Sequence, residues 1–503
     1  MMNNSLGRKV SHPKPPFSGS ESYRDKQRTR IPTKSQNAQP QFVTSLDRAF
    51  DLLHIRDHMT LSFHHHLRSG DFLINQVAEL LIQKGISAIH LAPSSIFPQY
   101  LLGPLIDKGI VHHLYTSYLN GPLSQQIRSQ KLKGDLIMQT HGGRARAIES
   151  GELQIDVAFL SCPVVDRQGN GSGAFGKSAC GTLGYALSDM YYAKKVVLVT
   201  DTIVDRLDRF QFEGRYVDMV VQVPSIGDPK GIVSGTTRIT RDPIGLKIAT
   251  QTARILDHLG VIKEGFSMQT GAGGTSLATA DQIRQLMLTQ QVRGSFASGG
   301  ITRHYVDMLK QGLFSKLYDV QCFDLQAVES YHQNENHIGI SASKYGNPFE
   351  DHPIVNDLDV VILGATEIDI DFNVNVTTDS FGNIIGGSGG HADTAYGAKI
   401  TVITSPLARA RIPLIKEHVR TITTPGENID ILVTERGIAI NPRRADLIDK
   451  LAGSPFNIRP IKDLMDLQHQ ISGIPHEILD GNHPVGYVEY RDGTIIDTLY
   501  CSR

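Results

Sequence analysis

Asp359–Val376 reads DVVILGATEIDIDFNVNV, and Asp156–Gly173, 203 positions earlier, reads DVAFLSCPVVDRQGNGSG. Each stretch opens on an Asp, crosses a short apolar run and breaks into a polar turn with an Asn at the same place, Asn170 against Asn373. Short apolar runs without alternation fit strands buried on both faces of a parallel sheet. The offset recurs outside these stretches. Leu105–Tyr115, LIDKGIVHHLY, lines up with Leu309–Tyr318, LKQGLFSKLY, through Gly109/Gly312 and Tyr115/Tyr318. Leu61–Gly70, LSFHHHLRSG, falls opposite Glu264–Gly273, EGFSMQTGAG, pairing Phe63 with Phe266 and Gly70 with Gly273. Several anchors at one spacing indicate a duplicated unit.

Apolar runs such as AIHLA and VVLVT alternate with helical stretches of ordinary length, which predicts an α/β protein. The expected fold is two tandem, duplicated open α/β domains. Residues 43–240 form the first and 241–503 the second, with a C-terminal hairpin turning at Asp492-Gly493. Residues 1–42 are rich in Ser, Pro, Asn and Gln and strongly basic, and read as a flexible tail. Ligands of open parallel sheets sit at the carboxyl ends of the strands, so two facing domains predict an interdomain site.

The bulk numbers remove several classes of function. With 50 Lys+Arg against 51 Asp+Glu, nothing general draws the chain to nucleic acid or an anionic membrane. No run approaches a membrane span and no secretory leader is evident. The four cysteines, Cys162, Cys180, Cys322 and Cys501, form no CxxC pair, so a reduced, cytoplasmic protein is expected.

Where the copies differ, chemistry is expected. Glu367 follows the strand in the second copy where Val164 stands in the first, and a carboxylate there is a candidate nucleophile or base. Gly386-Gly387-Ser388-Gly389-Gly390 strips side chains from a loop, leaving N–H groups able to hold a developing oxyanion, chiefly at Gly389 and Gly390. Gly271, Gly273 and Gly274 repeat the theme ahead of a helix. His64-His65-His66 cannot gather three ligands on one face of a strand, so no metal is expected there. His64 and His66 are instead read as lining the cleft. Gly171–Gly176, GSGAFG, matches a dinucleotide fingerprint, but lies too far from the following helix to form its tight turn.

GATEIDIDFNVNV with GGSGGHADT, EGFSMQTGAGG, LSFHHHLRSGD, THGGRARAIESGELQIDVAFL and LVTERGIAINP together resemble citrate lyase alpha chains, from about Phe42 to the C-terminus. The resemblance implies the CoA-transferase fold, shared with ribose-5-phosphate isomerase. It implies conversion of acetyl-carrier protein and citrate to citryl-carrier protein and acetate, with acetyl-CoA able to replace the carrier. It also implies a beta subunit, a gamma carrier protein bearing a phosphopantetheine-type arm, and a larger assembly. No tightly bound cofactor is implied, because the thioester is a substrate. Glu367 matches a position that forms a covalent intermediate in related transferases, while citrate lyase chains are grouped with enzymes that pass through a mixed anhydride in a ternary complex. Both routes stay open on the sequence. Citrate brings three carboxylates, and Arg68, Arg144 and Arg146 are the candidates to receive them. A CoA-transferase or acyl-CoA hydrolase acting on another carboxylate is the alternative function.

Overall fold

The computed structural model describes residues 2–22, 29–233, 238–474 and 479–503. Its strands fall mainly into two sheets. In the first, Leu136–Met138, Val111–Thr116, Ile89–Pro93, Thr60–Phe63, Val157–Ser161, Lys195–Thr200 and Met219–Gln222 lie side by side and parallel. In the second, His337–Gly339, Phe314–Cys322, Gly294–Ile301, Ser267–Thr270, Val360–Gly364, Ile400–Thr404 and Ile431–Val433 repeat that order, also parallel. The unalternating apolar runs lie in the middle of the sheets. Phe159, Leu160, Val197, Val360, Val361 and Ile362 are fully buried, as strands covered on both faces require.

The duplication extends to individual hydrogen bonds. Asp156 accepts from the Thr60 N–H and pairs with Lys194, while Asp359 accepts from the Ser267 N–H and pairs with Lys399. Asp166 holds the N–H and side-chain amide of Asn170, and Asp369 does the same for Asn373. Beyond each central strand a small three-stranded sheet follows. Val164–Asp166 lies between Gly171–Ser172 and Ile203–Val204, and Glu367–Asp369 between Val374–Asn375 and Ile415–Lys416. The Gly171–Ser172 strand is thus part of a sheet and not of a phosphate-binding turn.

One sequence anchor is out of register. The shared bonds to Asp156 and Asp359 set Thr60 opposite Ser267, an offset of 207, so Phe63 faces Thr270 and not Phe266. Four extra residues precede this strand in the second half. His64-His65-His66 therefore stands opposite Gly271-Ala272-Gly273: the same strand-end turn carries three imidazoles in one half and almost no side chains in the other.

Two boundary expectations change. The C-terminal hairpin, Pro484–Glu489 with Ile495–Tyr500, forms as predicted but joins the first sheet, with Gly486 beside Leu136. The chain thus returns to its first half after completing the second. The N-terminal segment, expected to be a flexible tail, packs on that hairpin over residues 2–22 and on other parts of the first half over residues 29–42. Phe17 is 1% exposed and meets the Tyr490 ring edge-on at 4.9 Å. Pro15 and Phe17 exchange backbone bonds with Ile495, and Lys14 pairs with Glu152 and Glu489. Gln41–Val43 adds an outer strand to the first sheet. Composition registered the segment's polarity, but its two anchoring apolar residues, Val10 and Phe17, are few enough to escape an average.

Candidate functional site

The carboxyl ends of the two sheets face one another and are fastened by buried polar contacts. Asp393 accepts from Thr140 Oγ1 at 2.9 Å and the Gly142 N–H at 2.8 Å, and pairs with Arg491, itself fully buried. Arg491 also donates to the Gly346 carbonyl at 2.9 Å. An ion pair without water is held in place by such additional bonds, because losing either partner strands a charge.

The glycine-rich loop lies across this junction. Gly386 accepts from the Leu119 N–H, the Gly389 N–H donates to the Ser117 carbonyl at 3.1 Å, and the Gly389 carbonyl accepts from His141 at 2.8 Å. A Cβ on Gly390 would come within 2.4 Å of the Tyr345 hydroxyl, and Gly389 has φ +51°. The glycines thus let one half's backbone reach the other half's strand ends. This corrects part of the expected oxyanion site, since the Gly389 N–H is already used. The N–H groups of Gly387, Ser388 and Gly390 have no partner among the described residues.

The histidine turn sits at the same junction. His64 Nε2 lies 2.8 Å from the Ser161 carbonyl, and His66 Nδ1 lies 2.8 Å from His64 Nδ1. His66 reaches across to the Val320 carbonyl, and Gln321 donates to the His65 carbonyl at 2.9 Å. The His65 ring stacks on Tyr185 at 4.7 Å, and Tyr185 meets His141 at 4.2 Å with the rings tilted. Burial lowers the pKa of His64 to about 4 and that of His141 to about 3. His65 and His66 fall well below the ordinary value of 6.5, first through burial and then through neighbouring rings, His141 for His65 and His64 for His66. At neutral pH the cluster is an uncharged wall of rings and cannot act as a bank of cations for an anionic substrate.

Arg68 is the charged member of the turn, in a left-handed conformation with φ +51°. Its guanidinium lies 4.7 Å from the centre of the Phe323 ring and 5.5 Å from that of Phe97, one ring from each half. Arg144 and Arg146 are placed differently. Arg144 is 3% exposed, grips Asp189 with two nitrogens at 2.8 and 2.9 Å, and also donates to Ser62 and the Ala92 carbonyl. Arg146 is bound to Glu152 and Glu489. Arg144 and Arg146 are thus engaged in internal ion pairs, whereas Arg68 lies between rings drawn from both halves.

Glu367 is separated from all of these. Its carboxylate, 2% exposed, accepts from Asn375 at 2.9 Å, Ser380 at 2.7 Å and the Arg420 N–H at 3.1 Å, with Lys416 at 3.6 Å. It forms part of the wall of a cavity of about 1010 Å³ shared with Arg8, Ser380, Lys416, Arg420 and Asp480; none of Gly386–Gly390, His64–His66 or Arg68 lines it. This cavity is not the junction at the strand ends. Both oxygens of the Glu367 carboxylate are held by donors, which makes it a weak nucleophile.

Gly271 and Gly273 belong to the junction side. Gly271 closes the Ser267–Thr270 strand beside Leu363, and a Cβ on Gly271 or Gly273 would meet nothing closer than 3.8 Å. Gly274 opens the helix Gly274–Gln290 but is pressed against the Arg238 carbonyl and the Thr240 N–H, which is a packing role. The sequence reading passed over His65, His141, Tyr185, Tyr345 and Asp71. Asp71, within the quoted LRSGD turn, accepts from the Leu73 N–H at 2.8 Å and from Ser161, and burial raises its pKa to about 7.

The comparisons agree with this architecture. A family model of the citrate lyase alpha subunit matches residues 39–501. The citrate lyase alpha chain of Haemophilus influenzae is 44% identical over 461 residues, 91% of this chain and 92% of that one. A Streptococcus mutans structure, described as an alpha subunit of citrate lyase in complex with citrate, superposes with a TM-score of 0.93 at 39% identity, covering 99% of this chain and 100% of its own. A Pseudomonas malonate decarboxylase structure shares the fold alone, with a TM-score of 0.64 at 16% identity over 86% of this chain and 87% of that chain. This chain belongs to the citrate lyase alpha-subunit family.

Proposed function

We propose that the chain exchanges carboxylates on a thioester, converting an acetyl-carrier or acetyl-CoA thioester plus citrate into the citryl thioester plus acetate. The observation that carries this reading is the similarity, along essentially the whole chain, to a structure in complex with citrate. In the direct route a citrate carboxylate oxygen attacks the acetyl thioester carbon, the C–S bond breaks and the thiolate leaves. The thiolate then attacks the citryl carbon of the mixed anhydride, and acetate departs. Each attack puts negative charge on a carbonyl oxygen. A preorganised N–H such as that of Gly390 suits that oxygen, and Arg68 suits a carboxylate of citrate. The neutral imidazole and tyrosine rings would exclude water, which otherwise hydrolyses an anhydride. The saturated carboxylate of Glu367 favours this direct route over a covalent glutamyl thioester, and we assign Glu367 a positioning role.

The family also supports a multi-subunit setting. We propose a beta subunit that cleaves the citryl thioester, a gamma carrier with a phosphopantetheine-type arm, and a cytoplasmic location. No helix among the described residues is long and apolar enough to cross a membrane.

The test mixes the purified chain with acetyl-CoA, and separately with acetyl-carrier protein, and citrate, and follows citryl thioester and acetate by mass spectrometry. Citryl product that persists in Glu367→Gln, with no mass adduct on the enzyme after denaturing quench, is the expected result. Absence of citryl product from both donors would refute the function. A thioester adduct on Glu367 would refute the direct route.

A further inference from the structure

Asp319, Cys322 and His337 form a cluster that the transfer reaction does not use. All three are fully buried, and their Oδ, Sγ and imidazole nitrogen atoms lie within 4.8 Å of one another. Asp319 and Cys322 lie on the strand Phe314–Cys322, and His337 begins the neighbouring His337–Gly339. His337 Nε2 is 2.9 Å and Cys322 Sγ 3.0 Å from the same Asp319 oxygen. The other oxygen, Oδ1, is buried without a hydrogen-bond partner among the described residues. His337 Nδ1 is fixed by Ser330 Oγ at 3.0 Å.

A fully buried carboxylate with an open oxygen is costly unless a cation completes it. We propose that Asp319, Cys322 and His337 are the ligands of a divalent metal ion of the zinc class. The donor set of one thiolate, one imidazole and one carboxylate suits zinc, and Oδ1 supplies a fourth donor if the carboxylate binds through both oxygens. The thiol loses its proton on binding, so zinc with one thiolate, one carboxylate and a neutral imidazole carries no net charge in the buried site. Zinc bonds of about 2.0–2.3 Å set tetrahedral edges of roughly 3.3–3.7 Å. The present 2.9–3.0 Å separations would open by about half an ångström as protons give way to the metal. Ser330 is the outer partner that fixes the ring of a metal-binding histidine. A cavity of about 740 Å³, bordered by Gln211, Tyr331, His337 and Gly339, gives an ion a way in. The neighbouring Gln321 and Phe323 touch His65 and Arg68. The ion would therefore pin the strand end that supports the junction between the halves, a structural role.

The full chain is loaded with zinc alone, desalted and measured by elemental analysis, and in parallel loaded with cobalt(II). The expected result is about one zinc per chain, a near-ultraviolet sulfur-to-cobalt band, and a higher thermal midpoint with zinc. Cys322→Ser and His337→Gln should lose the band and the zinc-dependent shift. If either variant fails to fold, protection of Cys322 from alkylation by zinc in the unaltered chain, read by peptide mapping, decides the matter. No retained zinc and no cobalt band, a band that survives in Cys322→Ser, or alkylation of Cys322 unchanged by zinc would each overturn the proposal.

Discussion

Asp71→Asn should remove a pH dependence of stability that the folded chain builds into its first strand-end turn. Asp71 is fully enclosed, and burial raises its pKa from the ordinary 3.8 to about 7 against the opposing bonds from Leu73, Ile74 and Ser161. For a carboxyl with a raised folded pKa, the folded state keeps its proton where the unfolded state has lost it. The contribution is therefore fully present below about pH 4 and is lost as pH rises through about 7. A displacement of about three pKa units corresponds to about 4 kcal/mol, of which about 2.5 kcal/mol is lost between pH 5 and pH 8. Asparagine stays neutral and can still accept from the Leu73 N–H, so its profile lacks this slope. Thermal unfolding at pH 5, 6, 7 and 8 should show the variant gaining on the parent as pH rises. At about 2–4 °C per kcal/mol for a unit of roughly 200 residues, the relative gain is about 5–10 °C. Every other titrating group is common to both proteins and cancels in the difference. Parallel profiles across that range would refute the reasoning.

Arg144→Ala should behave as a folding defect. It leaves Asp189 buried without its bidentate partner, at a cost of about 3–5 kcal/mol, so the thermal midpoint falls while the KM for citrate of the folded fraction stays unchanged. Gly271→Ala should do the reverse. A methyl there meets only ordinary contacts at 3.8 Å or beyond, so the thermal midpoint holds while the KM for the acetyl thioester rises several-fold. An unchanged KM would exclude the pantetheine arm from that strand end.

The duplication and the parallel sheets were legible because buried strands leave unalternating apolar runs and because Asp156/Asp359 and Asn170/Asn373 stand at one offset. The same regularity misled at Phe63 and Gly70, where a four-residue insertion broke the register and a chance Phe and Gly concealed it. Arg144 and Arg146 illustrate a second limit. Their motif forms the start of the helix His141–Glu149, whose Gly142 N–H meets Asp393 of the other half, yet only the fold reveals that Asp189, Glu152 and Glu489 already claim both charges. Glu367 illustrates a third. It follows the central strand Val360–Gly364 and opens Glu367–Asp369, but in a strand alternate side chains face opposite ways, and its side chain turns into a separate cavity. The Asp319–Cys322–His337 cluster was invisible for a like reason, since its third member arrives on another strand fifteen residues after Cys322.

The structural equivalence of His64-His65-His66 with Gly271-Ala272-Gly273 explains how a duplicated scaffold makes an asymmetric site. In the first half the turn is packed with rings held neutral by burial, and it carries Arg68 between aromatic groups drawn from both halves. In the second half the matching turn is bare, and the adjoining Gly364 has no atom within 4 Å of where a Cβ would sit. One strand end supplies a shaped, water-excluding wall with a charge, and the other supplies room. A thioester exchange makes both demands at once, because a compact polyanion must be gripped while a long, flexible arm is admitted beside it. Two identical strand ends would meet one demand twice and the other not at all. On the proposed site, the divergence of the copies at these three positions suits the reaction, with the histidines on one side and the glycines on the other.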